Sequence, residues 1–511
     1  MISILHIIER FAGAGPDRAL IAAATTAAQL GLHQQHTVCA LEAAASPMTL
    51  WLAQKAGITV HRQPDSQTLQ RALAAADIVV VHFWNNPALY EFLRAELPPL
   101  RLVIWATVYG HKAPQVITPA LVAFADQFLV KAPGVLTLSA LNAATRIHPP
   151  LAPQLVYSPL DVGRLAGYRP RAHDTFNVGY IGTVNFAKMH AHYVPISAGV
   201  DLPNVRFVVC GGGIEQTLAA QAAALGVADR FDFRGYVHNV LPVLEELDLF
   251  GYPLCADTYA TSERALQEAM WVGIPPVVFP YAGLATLVQH EQTGLVVHTE
   301  REYQQAIEDL YHHPAERQRL GQNASQFARA TFDPGPIIEQ LDSIYRQLLH
   351  YPKRARHWTG DGNTPAEWFV QALGDQAEVF ALSLRGAAWP DLLSADETIA
   401  QASPLLQGGE GGVIHYRNYY LDDAHLRLWA GLLLERQGKL EQALAEYRAA
   451  VALGLPHWRG HWYSARLAEQ LHQPDAAMAA AQSVVVAAPE FAAARELLAR
   501  LKREIYPQRG H

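Results

Sequence analysis

The stretch Glu263–Val297, ERALQEAMWVGIPPVVFPYAGLATLVQHEQTGLVV, decides the fold. It opens on an acidic helix start in which Leu266, Ala269 and Met270 share one helical face, a spacing that predicts packing on a sheet. Gly273, followed by Ile274-Pro275-Pro276, ends that helix, because glycine accepts a left-handed cap and proline cannot continue the turn. Val277, Val278 and Phe279 then read as a short apolar strand, and a glycine-containing loop leads to a second one in TGLVV. Helix, buried strand and loop in this order predict the nucleotide-side half of a doubly wound α/β domain, where ligands sit at the carboxyl ends of parallel strands. Glu268 lies inside the helix, and a carboxylate there can accept two sugar hydroxyls.

Working outward, the first half of the chain alternates strand and helix signals. Ile2–Ile8 is an apolar run, followed by a glycine loop and the helical stretch ALIAAATTAAQLG. HTVCAL, Asp77–His82 and Leu102–Thr107 read as further strands, with Gln127–Val130 and Val135–Ser139 as shorter ones nearer the edge. A second alternating block starts near Phe176, with strands at NVGYIG, VRFVVCG, FDFRG, LFGYPL and PPVVFP. Such alternation predicts βαβ units and parallel sheets. Ser158–Asp174, rich in Pro, Gly and Arg, reads as the linker between the blocks. From Ala424 the chain turns helical and repeats itself with an offset of 34 residues, pairing Ala443 with Ala477. The spacing and the small residues fit tetratricopeptide units. The expected division is 1–165, 166–350, a partly helical connector 351–420, and repeats 421–505.

Composition narrows the classes. A chain of 511 residues suggests about three domains at ~150 residues each. Half its residues are hydrophobic, enough for large cores. A net charge of −8 without long basic runs argues against nucleic acid as a partner, because phosphates require a basic face. Cys39, Cys210 and Cys255 have neither disulfide-framework nor zinc spacing, which suits a reducing cytoplasm. No run reaches the about 18 apolar residues that span a bilayer, so the expected location is cytoplasmic, or peripheral to the inner face of a membrane.

EAMWVGIPPVV, its glycine loop and TGLVV resemble the donor-sugar signature of retaining GT-B glycosyltransferases, the glycogen-synthase-like group of the family-four type. The resemblance runs over roughly residues 1–350. It implies an α/β GT-B fold, two Rossmann-like domains facing across a cleft, with Phe332–Leu349 as a closing helix that braces the first domain. It also implies transfer of a sugar from a nucleoside diphosphate sugar to a hydroxyl of a glycan, lipid or protein acceptor. No metal and no cofactor beyond that co-substrate are expected.

Site residues follow from the same resemblance. Glu268 matches the carboxylate that holds the donor ribose, and Lys188 the cation that neutralises the diphosphate. Fixed cations there stabilise the charge that grows on the leaving group. Thr183 stands where an Arg is usual. Gly13 and Gly15 resemble the loop that faces the donor phosphates, and Val237 lies in FRGYVHN, which resembles the base-contacting stretch. The family's first Glu falls on Ala260, eight positions before Glu268, so Glu263 is its nearest substitute; Thr286 replaces a frequent acidic residue. His111, after a glycine at a strand end, is the expected contact to the sugar, with His82 on the acceptor side or in the core. The departures support a rival, a catalytically degenerate GT-B scaffold presenting its repeats to a protein partner. A GT-B epimerase or phosphorylase is weaker, because no Lys motif suggests pyridoxal.

Overall fold

The computed structural model describes residues 1–13, 15–143, 151–360, 362–386 and 388–505. They form two compact units, one from 1–84 with 88–359 and another from 85–87 with 360–505.

The first unit holds two parallel sheets. Its first block provides β1 (Ile2–Ile8), β2 (Gln34–Ala40), β3 (Thr59–Arg62), β4 (Ile78–Phe83) and β5 (Leu102–Ala106). A two-residue pair, β6 (His111–Lys112) and β7 (Gln115–Val116), precedes β8 (Gln127–Val130) and β9 (Leu151–Leu155). The sheet order is β3-β2-β1-β4-β5-β8-β9, with β6 and β7 apart as an antiparallel ribbon. The second block provides β10 (Phe176–Ile181), β11 (Val205–Cys210), β12 (Phe231–Gly235), β13 (Leu249–Tyr252), β14 (Pro276–Val278) and β15 (Leu295–Val296). Their order is β12-β11-β10-β13-β14-β15. Strand order reverses at β1/β4 in one sheet and at β10/β13 in the other, which opens a crevice at the carboxyl edge of each.

The central strands β4, β5 and β13 are buried along their whole length, as parallel strands covered by helices on both faces must be. The helix Arg264–Trp271 presents Leu266, Ala269 and Met270 to the second core, all fully buried. Pro334–Leu349 returns to the first sheet, where Ile337, Ile338, Leu341 and Tyr345 join Ile4, Val80, Trp105 and Leu129. Beyond it, Arg354 and Arg356 both pair with Asp126, at 3.1 and 2.7 Å.

One expectation needs correction. Val135–Ser139 is not a strand: Pro133 starts a 3-10 turn over Pro133–Thr137, and a short helix follows at Ser139–Ala143. Residues 353–420, expected to be partly helical, carry helices at Pro365–Leu373, Glu378–Leu384, Trp389–Ala400, Pro404–Gly408 and Val413–Tyr419. The first of these begins on a full Thr364–Glu367 capping box, a local signal that propensity alone understates.

The second unit is helical. Ala424–Arg436 packs on Leu440–Ala452, and Arg459–Gln470 on Pro474–Ala487, before Ala492–Ile505. Ala443 and Ala477, paired by the offset, are both fully buried. A polar knot lies in this core: Arg459 meets Asp396 at 2.9 Å, and Asp396 also accepts from Tyr463 and Ser383.

Candidate active site

The loop Gly182–Lys188 leaves the carboxyl end of β10, next to the strand-order reversal. It is pinned by backbone bonds: Gly182 N–H donates to Cys210 O, Val184 N–H to Gly212 O, and Ile214 N–H returns to Val184 O. Two of the three glycines make this approach possible. A Cβ on Gly211 (φ +147°) would stand 1.7 Å from the carbonyl oxygen of Gly182, and one on Gly213 (φ +151°) 2.0 Å from that of Val184. Gly211–Gly213 therefore serves a close contact between two loops.

Lys188 emerges from this loop and meets Glu263 at 2.8 Å. Glu263 also accepts from the buried Tyr252 hydroxyl at 2.7 Å, and burial, reinforced by that carboxylate, holds Tyr252 protonated far above the usual phenol range. Two residues singled out from sequence are thus each other's counter-charges. Glu263 is the residue just before the helix Arg264–Trp271, with a φ of −15° that departs from helical geometry. Thr183 is exposed and carries no charge to this pair; its carbonyl accepts from Tyr180. Ala260 is buried in the core.

Glu268 sits one turn on, almost fully buried. Its Oε1 takes Arg164 Nη1 at 3.1 Å and Arg264 Nε at 3.6 Å. Arg164 also donates to His238 O, next to Val237, so the base-contacting stretch and the ribose carboxylate share one guanidinium. Arg264 reaches across the cleft to the carbonyl of Gly15 at 3.2 Å. Burial, with Arg164 and Arg18 nearby, pulls its pKa below the usual guanidinium range against the opposing pull of Glu268.

On the opposite wall, Gly13 adopts φ +97° and donates its N–H to Asp17 at 2.7 Å. Its carbonyl accepts from Arg18, which also donates to the Tyr236 hydroxyl at 3.4 Å. Gly15 opens the helix Gly15–Gln29 with nothing within 4 Å of a Cβ position. Val237 is partly buried against the second core. His111 lies in the β6/β7 ribbon, edge-on to Tyr109 at 4.8 Å. Burial and Lys112 lower its pKa, with Asp257 pulling the other way. Lys112 binds Asp257 at 2.7 Å, and Tyr109 N–H donates to Tyr259 O, so the ribbon meets the loop after β13.

His82 belongs to the core. It forms a row with His6 and His36, each neighbouring pair of ring nitrogens 3.0 Å apart. His82 also sits beside Trp105, its register partner on β5. Burial lowers all three imidazoles, His36 to about 4 and His82 to about 3.

Sequence reading missed Arg18, Arg164, Arg264 and Tyr252. Arg264 carried a signal, standing between Glu263 and Glu268 at the helix start; Arg164 was hidden in the linker. His190, His192 and Glu300 bring ligand atoms within 4.8 Å of one another. Yet His190 Nδ1 accepts the backbone N–H of His192. Its ring proton then lies on Nε2, facing Glu300, the tautomer that donates and does not ligate a metal.

Residues 171–327 match the family described as glycosyl transferases group 1. An alpha-D-kanosaminyltransferase from Streptomyces kanamyceticus is 26% identical over 175 residues, 33% of this chain and 45% of that protein. The chain thus spans less than half the length of this relative. HepE from Anabaena, solved in complex with UDP-glucose, superposes with a TM-score of 0.56 at 17% identity, covering 68% of this chain and 100% of that one. A sucrose-phosphate synthase from Thermosynechococcus elongatus gives 0.53 at 15% identity, with the same coverage. The shared fold is GT-B. Among the described residues no helix is long and apolar enough to cross a membrane.

Proposed function

We propose that the chain is a glycosyltransferase that moves a sugar, a hexose or close relative, from a nucleoside diphosphate sugar to an acceptor hydroxyl with retention of configuration. One observation carries this reading: Lys188, Arg264 and Glu268 converge with the Gly13–Gly15 loop at the carboxyl edges of two parallel sheets. The matched family and the nucleotide-sugar complex of the HepE relative support the same class.

In this reading the diphosphate enters among Lys188, Arg264 and the glycine loop. Lys188 exchanges Glu263 for the leaving phosphate as its negative charge grows, and such fixed charges in a sheltered site lower the barrier most. Ribose hydroxyls share the Glu268 carboxylate with Arg164. Val237 lines the base, and His111 with Glu263 positions the sugar. Retention proceeds by attack from the leaving-group face, the departing phosphate accepting the acceptor's proton, so no protein nucleophile and no metal is required. The second unit, as a tetratricopeptide-like array, recruits the acceptor or a protein partner.

The second reading, a non-catalytic scaffold, draws on the ion pairs that already occupy Lys188 and Glu268. Incubation with a panel of nucleotide sugars separates the two. Released nucleoside diphosphate, with an anomerically retained product by NMR, supports the enzyme. No release and no nucleotide binding would leave the scaffold. Truncation after Thr359, which keeps the Arg354 and Arg356 pairs to Asp126, should spare nucleotide binding and donor hydrolysis while lowering transfer to the natural acceptor.

A further inference from the structure

The cations of the cleft are mostly engaged. Lys188 has Glu263, Arg164 and Arg264 share Glu268, and Arg18 has the Gly13 carbonyl and the Tyr236 hydroxyl. Lys131 differs. It follows β8 directly, at the carboxyl edge of the first sheet. Its residue is only 3% exposed, and among the described residues no carboxylate or carbonyl pairs with its amine. The amine lies over the Trp105 ring, 4.7 Å from the centroid. Trp105 separates it from His82 and the histidine row on the strands beyond.

A buried ammonium without a partner is costly, because desolvation is uncompensated. Aromatic contact recovers only part of that loss. Proteins keep such a group when something else supplies the missing charge. Arg264 is near enough to lower the Lys131 pKa, and it lies on the far wall, where it donates to the carbonyl of Gly15 in the glycine loop. Two cations that repel each other across a crevice mark a place for an anion between them.

We propose that Lys131 is an open anion-binding position of the cleft, where its amine meets a substrate oxyanion, phosphate or carboxylate, that the chain itself does not supply. This rests on the nucleotide-sugar reading and extends it. The oxyanion belongs either to the donor diphosphate or to a carboxylate carried on the transferred sugar.

The site has a protonic signature. Burial, then Arg264, lowers Lys131 to about 7. At pH 8 the amine is therefore largely neutral, and an arriving anion raises its pKa and draws in a proton. A terminal phosphate, with a second pKa of about 6, is already ionised at pH 8. The imidazoles of His6, His36, His82 and His111 are all lowered from the usual histidine value, which leaves them further from taking up a proton at pH 8 than Lys131. Arginine does not titrate in this range. Net proton uptake that Lys131→Met removes then reports Lys131.

The test is calorimetry of the full chain at pH 8 in two buffers of different ionisation enthalpy, with UDP, GDP, UDP-glucose and UDP-glucuronate as ligands. Uptake approaching one proton with UDP or GDP assigns the oxyanion to the diphosphate. Uptake confined to UDP-glucuronate assigns it to a sugar carboxylate. In either case Lys131→Met should abolish the uptake and weaken that ligand about tenfold to a hundredfold, as loss of a charge-assisted contact does. The Met variant removes a buried unpaired charge and should melt no lower than the parent; should it fail to fold, uptake by the parent still decides. Tight binding without proton uptake overturns the proposal and leaves the nucleotide-sugar reading standing. No binding of any nucleotide overturns both.

Discussion

The two sheets of the first unit treat charge in opposite ways. In the second, ionisable groups come with counter-charges: Lys188 with Glu263, and Glu268 with Arg164 and Arg264. In the first, His36, His6 and His82 in the core and Lys131 at the edge are buried bases with, among the described residues, no carboxylate paired to them. A paired wall is pre-organised but already satisfied, because each charge has a partner a ligand must displace. An unpaired wall is held neutral by burial, and any anion or proton that reaches it finds a group ready to respond. One wall supplies fixed geometry, the other a capacity to change protonation.

The sharpest way to break the paired wall is through its backbone. Gly211→Ala should cost about 4 kcal/mol or more, because its Cβ collides with a carbonyl and its φ disfavours any side chain. Gly212→Ala, whose nearest neighbour is the Glu215 carboxylate at 3.8 Å, should stay under about 1 kcal/mol. Urea unfolding of the two variants checks this; equal losses would mean that the glycines serve no close approach.

Acid should find the unpaired wall next. His36 and His82 are lowered to about 4 and about 3, so in that wall the unfolded chain binds protons more readily. Their contribution to stability is therefore complete above about pH 6.5, and it falls as pH drops from there towards 4. The slope is about 1.4 kcal/mol per pH unit for each histidine. His36→Gln keeps a hydrogen-bonding side chain but cannot titrate, and its slope should be visibly shallower. Urea midpoints at pH 7, 5.5 and 4.5 measure it; an unchanged slope would place the acid sensitivity elsewhere.

Smaller effects separate the members of the pairs. Glu263→Gln releases Lys188 from its competitor, so UDP should bind tighter by about 1 kcal/mol while sugar transfer falls. Lys188→Ala should weaken UDP by about 1.5–3 kcal/mol. If both variants weaken UDP alike, the pair acts only as structure. Tyr236→Phe, which removes one exposed contact to Arg18 at 3.4 Å, should shift thermal stability by under about 0.5 kcal/mol.

Much of the fold was legible because it rests on local pattern. Period and punctuation in Glu263–Val297 gave helix, stop and strand where the structure has them. The closing helix, expected at Phe332–Leu349 from the family resemblance, runs over Pro334–Leu349. Val135–Ser139 misled because an apolar run five residues long does not separate a strand from a turn that Pro133 initiates. The site was legible residue by residue but not as partnerships. Lys188 and Glu263 are 75 positions apart, and Arg164 and Glu268 are 104 apart, so no local rule joins them. Lys131, in QFLVKAP, gives no sign that it is buried without a partner.

The walls of the cleft are joined at this end by Arg18 reaching Tyr236 and Arg264 reaching Gly15, each bound to a neutral oxygen. A neutral oxygen is a weak rival for a guanidinium when a phosphate is present. A polyanion settling between the two arginines would take both from their present acceptors and become the keystone of the arch. When the cargo leaves, the same two neutral oxygens stand ready to take the guanidinium groups back, so the span keeps its shape whether loaded or not.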